Sequence, residues 1–143
     1  MRVDRVLLVD DEVDFVEALA ERMRTRGLEV ATAYDGQMAV DLVRDFDFDA
    51  IVLDLAMPGE DGIETLTRLR EFDATLQVML LTGKGSPHSA AEAMRRGAVD
   101  VFEKPADVDT LVESIREARA KRIMLAEEQS REDIEDILKR RGW

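Results

Sequence analysis

With 143 residues, 45% of them hydrophobic and 36% charged, the chain is sized for one compact domain plus an appendage and is too short for two ordinary domains. Its formal net charge of −12 repels phosphate backbones and anionic lipid, which argues against nucleic acid or a membrane as a direct partner. No cysteine is present, which excludes disulfides and thiolate metal sites; the N-terminus carries no signal-type apolar run and no stretch of about 18 apolar residues occurs, so a cytoplasmic location is expected.

Val6-Leu7-Leu8-Val9 is a short apolar run ended by Asp10-Asp11, too short for a helix and suited to a strand buried on both faces. From Glu12 the apolar positions Val13, Val16, Leu19, Ala20 and Met23 recur at helical spacing up to Gly27, which can cap the helix in the left-handed conformation. Residues 28–33 read as a second strand, and Asp35-Gly36 opens a helix carrying Ala39, Val40 and Val43. The unit repeats. Ala50-Ile51-Val52-Leu53 is a third strand, Met57-Pro58-Gly59 shapes a loop, and Gly62 precedes a third helix and suggests close approach to a neighbour. Residues 78–81 and 99–102 give strands four and five, an Ala-rich helix from about Ser89 to Arg96 lies between them, and a fifth helix starts near Asp107. Five β-α units with short connections predict a doubly wound α/β fold, a parallel sheet with helices on both faces.

Such sheets bind ligands beyond the carboxyl ends of their strands. Those ends carry Asp10 and Asp11 after strand one, Asp54 after strand three, Thr82 after strand four and Lys104 after strand five. Carboxylates that face one another repel unless neutralised, and a hard divalent cation such as Mg²⁺, which prefers oxygen ligands, suits them; Lys104 adds a further positive charge. Taken singly, each residue has a plainer reading, as a helix cap, a turn opener or a solvated strand end. Their joint occurrence at the same end of successive strands points to a functional cleft.

The segments Leu7-Leu8-Val9-Asp10-Asp11-Glu12, residues 51–62 around Asp54, Leu81-Thr82-Gly83 and residues 97–105 ending in Lys104-Pro105 resemble the receiver domain of two-component response regulators over residues 4 to 118. The resemblance implies a flavodoxin-like sheet of strand order 2-1-3-4-5, with residues 1–120 as the receiver and 121–143 as a helical extension. It implies that Asp54 takes a phosphoryl group from a histidine kinase or histidine phosphotransfer protein. Asp11 and Asp54 would ligate Mg²⁺ through carboxylates, the carbonyl of Ala56 would complete the protein ligands, and Asp10 would act through water. Lys104 would neutralise phosphoryl charge and the Thr82 hydroxyl would turn toward a phosphoryl oxygen, in a Mg²⁺-dependent switch that is not an enzyme beyond its own phosphorylation and dephosphorylation. The family's Lys-Pro bond is usually cis, which sets the expectation for Lys104-Pro105.

Two positions depart from the pattern. Val101 stands where relatives carry a switch aromatic, and Phe102 next to it should face the other side of the strand and pack against helices. Ala56 is small where many relatives are bulkier, which opens access for water and ties phosphate lifetime to this position. His88 reads as solvent-exposed, not as a phosphoryl donor.

The tail is charged and helix-favouring, with Ile123, Leu125, Ile134, Ile137 and Leu138 as apolar patches and an expected break near Gln129-Ser130, where Ser130 followed by Asp133 resembles an N-cap pattern, before a short sixth helix. It reads either as a solvated extension or as a helix that pairs with a partner or a second copy, with Trp143 packing at its end. Competing functions were a dehalogenase-type phosphatase, which wants an acid at position 56; a flavin binder, which wants a phosphate loop after strand one; a scaffold without phosphorylation; and the first domain of a longer regulator.

Overall fold

A strand covered on both faces needs apolar side chains throughout, and the short runs of the sequence meet that need. The computed structural model describes residues 4–57, 62–83 and 87–142; the expectations for Pro58 and Gly59, for the side chain of His88 and for Trp143 lie outside the described residues. The chain alternates strand and helix: β1 (Arg5–Val9), α1 (Val13–Arg24), β2 (Glu29–Ala33), α2 (Gly36–Asp45), β3 (Ala50–Leu53), α3 (Gly62–Phe72), β4 (Val78–Thr82), α4 (Pro87–Arg95), β5 (Asp100–Glu103) and α5 (Val108–Arg140). All strand pairs are parallel and the order is β2-β1-β3-β4-β5, the doubly wound arrangement expected.

Successive side chains of a strand point to opposite faces. Val6 and Leu8 therefore enter a core with α1 and α5, while Leu7 and Val9 enter a second one with α2, α3 and α4. The same alternation places Val101 against the α2–α4 core and Phe102 against the α1–α5 core. Phe102 thus packs against helices as its position implies.

Helix ends follow local chemistry. The Asp35 carboxylate accepts the Met38 N–H at 2.7 Å and that of Asp107 accepts the Thr110 N–H at 3.2 Å, each satisfying an orphan donor of a first turn. Helix α4 starts at Pro87, two residues earlier than the Ala-rich stretch suggests, because a first-turn proline lacks only an N–H that has no helical partner anyway. Gly97 follows α4 at φ 106°, a left-handed conformation for which the backbone favours glycine.

The largest departure from expectation is α5. It runs unbroken for 33 residues, without the break near Gln129-Ser130. The pattern read there as a cap is instead a turn of helix: Gln129 Nε2 donates to Asp133 Oδ1 at 3.0 Å, an i,i+4 pair that supports helix continuation. Val108, Leu111, Val112, Ile115 and Ala118 face the core. Where the helix passes the lower rim of the sheet, Arg119 reaches Asp4 at 3.1 Å and Arg122 reaches Asp47 at 2.6 Å and Asp73 at 3.4 Å. Beyond Leu125 every described residue is exposed, including Ile134, Ile137 and Leu138. No helix of the described residues is long and apolar enough to cross a membrane.

A Cβ at Gly62 would lie 2.7 Å from the Leu55 Cα and 2.9 Å from its carbonyl oxygen. Backbone cannot give way as a side chain end can, so Gly62→Ala should lower unfolding free energy by about 1–3 kcal/mol. Denaturant titration checks this, and a midpoint equal to that of the parent would show that the loop after β3 is not held against α3.

Candidate functional site

The register of β1 and β3 builds the site. Val9 pairs with Leu53, so the next residue of each strand, Asp10 and Asp54, leaves the sheet beside the other. The Asp54 N–H donates to the Val9 carbonyl and the Asp10 N–H to the Ala33 carbonyl, both at 3.0 Å. On the other side, Thr82 pairs with Glu103, and the N–H of Lys104 donates to the Thr82 carbonyl at 2.8 Å. The Lys104–Pro105 peptide is cis.

Each aspartate divides its two oxygens between backbone and cleft. Asp10 Oδ1 accepts the Glu12 N–H at 2.9 Å and Asp54 Oδ1 accepts the Ala56 N–H at 3.0 Å, a local turn bond typical of aspartate. The Oδ2 atoms face Lys104, whose Nζ lies 2.6 Å from Asp10, 3.4 Å from Asp54 and 3.3 Å from Glu12 Oε1. Its fourth side is covered by the Phe15 ring, with the centroid 4.5 Å away. The side chains of Asp10 and Asp54 are only 6% and 5% exposed, over an apolar floor of Leu8, Val16, Val52 and Leu81.

Burial decides the electrostatics of Asp10. It pushes the carboxyl above the ordinary carboxylate range, helped by the neighbouring charge of Asp54, and the Lys104 and Glu12 N–H bonds only partly offset it. Burial acts on Lys104 in the opposite sense, favouring the neutral amine. There it is outweighed by the bond to Asp10 and the charges of Asp10 and Asp54, and the net shift is upward.

Asp10, Glu12 and Asp54 each offer a carboxylate oxygen, and these lie within 4.8 Å of one another. The donor set is hard, anionic and oxygen-only, which fits a divalent cation of the Mg²⁺ kind better than a soft metal. Of the residues expected from sequence, the structure brings Asp10, Asp54 and Lys104 into contact and places Thr82, 8% exposed, at the end of β4. Asp11 is exposed and outside the carboxylate group, and Ala56 is exposed with its N–H turned to Asp54. Glu12 and Phe15 are the residues that sequence reasoning missed. The one available signal for Phe15 was an aromatic in the first turn after an acidic loop.

The family model for the response regulator receiver domain matches residues 6–116. The chain is 41% identical over 124 residues to the C4-dicarboxylate transport transcriptional regulatory protein DctD of Pseudomonas aeruginosa, covering 86% of this chain and 27% of that protein. It is 36% identical to the transcriptional regulatory protein CpxR of Escherichia coli, covering 92% of this chain and 55% of that one. The receiver domain of NtrX from Brucella abortus superposes with a TM-score of 0.75 at 32% identity, covering 80% of this chain and 98% of that one. The chain thus spans about a quarter of DctD and about half of CpxR.

A carboxyl held above its ordinary range favours folding while protonated, and that advantage is lost as pH rises through the raised value. Asp10→Asn should therefore melt higher than the parent at pH 7 without divalent ions, with the difference shrinking as pH falls through the raised value and gone by about pH 4. Lys104→Met, which leaves the carboxylates unscreened, should melt lower at pH 7. Thermal melts across pH check both signs, and an Asp10→Asn variant less stable than the parent at pH 7 would contradict the burial account.

Proposed function

The chain belongs to the response regulator receiver family, and from that premise we propose that Asp54 is its phosphoacceptor. The observation that carries the reading is the placement of Asp54 at a strand end, nearly buried, between a second carboxylate and the Lys104 ammonium. In the transfer, an Asp54 carboxylate oxygen attacks phosphorus while the P–N bond of a phosphohistidine donor breaks and its electron pair returns to the imidazole nitrogen. The product is a mixed acyl phosphate. Hydrolysis reverses the state when a water oxygen attacks phosphorus and the acyl P–O bond breaks, its electron pair returning to the Asp54 carboxylate while inorganic phosphate departs with the proton from water.

Position and charge are what this chain contributes. The Ala56 N–H fixes the rotamer of Asp54, and Lys104 stands 3.4 Å from its Oδ2, ready to meet the incoming phosphoryl oxygens. Thr82 offers a hydroxyl from the neighbouring strand end, and its movement toward the phosphoryl group would carry the switch. A Mg²⁺ ion held by Asp10, Asp54 and Glu12, with Asp11 and the Ala56 carbonyl as the further ligands that family membership implies, would neutralise phosphoryl charge. With Val101 on β5, the readout lacks a toggling ring, and Ala56 leaves the acceptor open to water.

The donor is a histidine kinase or histidine phosphotransfer protein, the setting is cytoplasmic, and the chain promotes only its own phosphorylation and dephosphorylation. A second reading concerns output. DctD and CpxR are transcriptional regulatory proteins of which this chain matches only a part, and α5 carries exposed Ile134, Ile137 and Leu138 well beyond the core. Both facts support a receiver that acts on an effector region, or on a second copy, through its last helix.

Incubation with Mg²⁺ and a small acyl-phosphate donor should add one phosphoryl group by intact mass, and Asp54→Asn should abolish it. Ala56→Asn should change the rate of loss several-fold in the same assay. Unchanged labelling in Asp54→Asn would overturn the assignment.

A further inference from the structure

Phe15 is absent from the chemistry described so far, yet its ring lies against the Lys104 ammonium. Its ring is half-buried in the first turn of α1, packed on the α1–α5 core. It lines a small cavity together with Leu19, Leu81, Pro105 and Ala106. With the centroid 4.5 Å from Nζ, the ammonium lies within the range at which a ring face attracts a cation.

We infer that Phe15 is a positioning residue that holds the Lys104 ammonium beside Asp54 when the carboxylates no longer can. This rests on the reading of Asp54 as phosphoacceptor. Lys104 now owes its place mainly to Asp10, Glu12 and Asp54, with Asp10 closest at 2.6 Å. The same three carboxylates form the candidate cation site. A divalent ion bound there takes up their charge and repels the ammonium, so the bonds that place Lys104 weaken in the state in which it is needed. The attraction of the ring does not depend on the carboxylates being free, and packing on the α1–α5 core keeps the ring in place. The alternative is a lysine stem free to swing to water, as a flexible four-carbon chain otherwise would.

The test compares Phe15→Leu, which keeps apolar bulk but loses the ring, with Phe15→Tyr, which keeps both. Phosphorylation by a small acyl-phosphate donor in saturating Mg²⁺ should slow about three- to ten-fold in Phe15→Leu and stay near the parent rate in Phe15→Tyr. In a Lys104→Met background, Phe15→Leu should have no further effect. A role in packing alone predicts the same slowing with or without Lys104, and that result overturns the inference, as does an unaltered rate in Phe15→Leu. A second measurement reads position directly: the ring should shift the Lys104 ε-methylene signal upfield in NMR spectra, with Mg²⁺ present as well as absent, and Phe15→Leu should remove the shift. Loss of the upfield shift on adding Mg²⁺ to the parent protein overturns the inference. If the parent protein takes up no phosphoryl group, the phosphoacceptor reading fails, while the NMR result still decides whether the ring holds the lysine.

Discussion

The contact between Lys104 and Asp10, at 2.6 Å with both side chains largely out of water, is the interaction on which the site depends. Parallel pairing of β1 with β3 forces Asp10 and Asp54 together, and two buried carboxylates side by side would drive each other to protonate or to move apart. One ammonium shared among Asp10, Glu12 and Asp54 relieves that conflict. It leaves three acids converging on one positive charge, so the cluster is still short of positive charge by formal count. The remaining deficit is what a divalent cation at this oxygen donor set would neutralise.

The rest of the fold serves to keep that imbalance tolerable. Two separate cores, one on each face of the sheet, clamp the strands so that their ends cannot drift. The connection after β3 is pinned by the tight approach of Gly62 to Leu55. At the opposite rim, Arg119 and Arg122 tie α5 to three acidic segments around the sheet: Asp4 before β1, Asp47 before β3 and Asp73 between α3 and β4. Burial raises the Asp73 carboxyl, but hydrogen bonds from Thr75 and the charge and bond of Arg122 outweigh it and hold the group below its ordinary range. The exposed part of α5 therefore leaves the body in a direction set by three strand-end connections.

Much of this was legible in the sequence because it follows from period and position. Runs such as Val6–Val9 and Ala50–Leu53 can only be strands with both faces covered, and the polar residue that ends each run marks the cleft. Strand alternation extended that reading to the packing of Phe102 against helices, and family resemblance to the cis bond before Pro105. What was not legible depends on register and on side chains from distant elements. The contact of Phe15 with Lys104 joins residues 89 positions apart in sequence, and nothing local in either announces it. The pairing of Arg122 with Asp47 and Asp73 has the same character. The expected break near Ser130 failed for a local reason, since a capping pattern and an i,i+4 helical pair use the same residue types, and Gln129 with Asp133 resolved the choice in favour of helix.

The central claim is that phosphoryl transfer ends on Asp54 and on no other carboxylate of the cluster. Hydride reduction tests it most directly, because borohydride converts an acyl phosphate to a primary alcohol and leaves free carboxylates untouched. After reaction with a phosphoryl donor and Mg²⁺, reduction and peptide mapping should find residue 54 converted to homoserine. Recovery of the alcohol at Asp10, Asp11 or Glu12, or of no alcohol from protein shown by mass to carry phosphate, would contradict it.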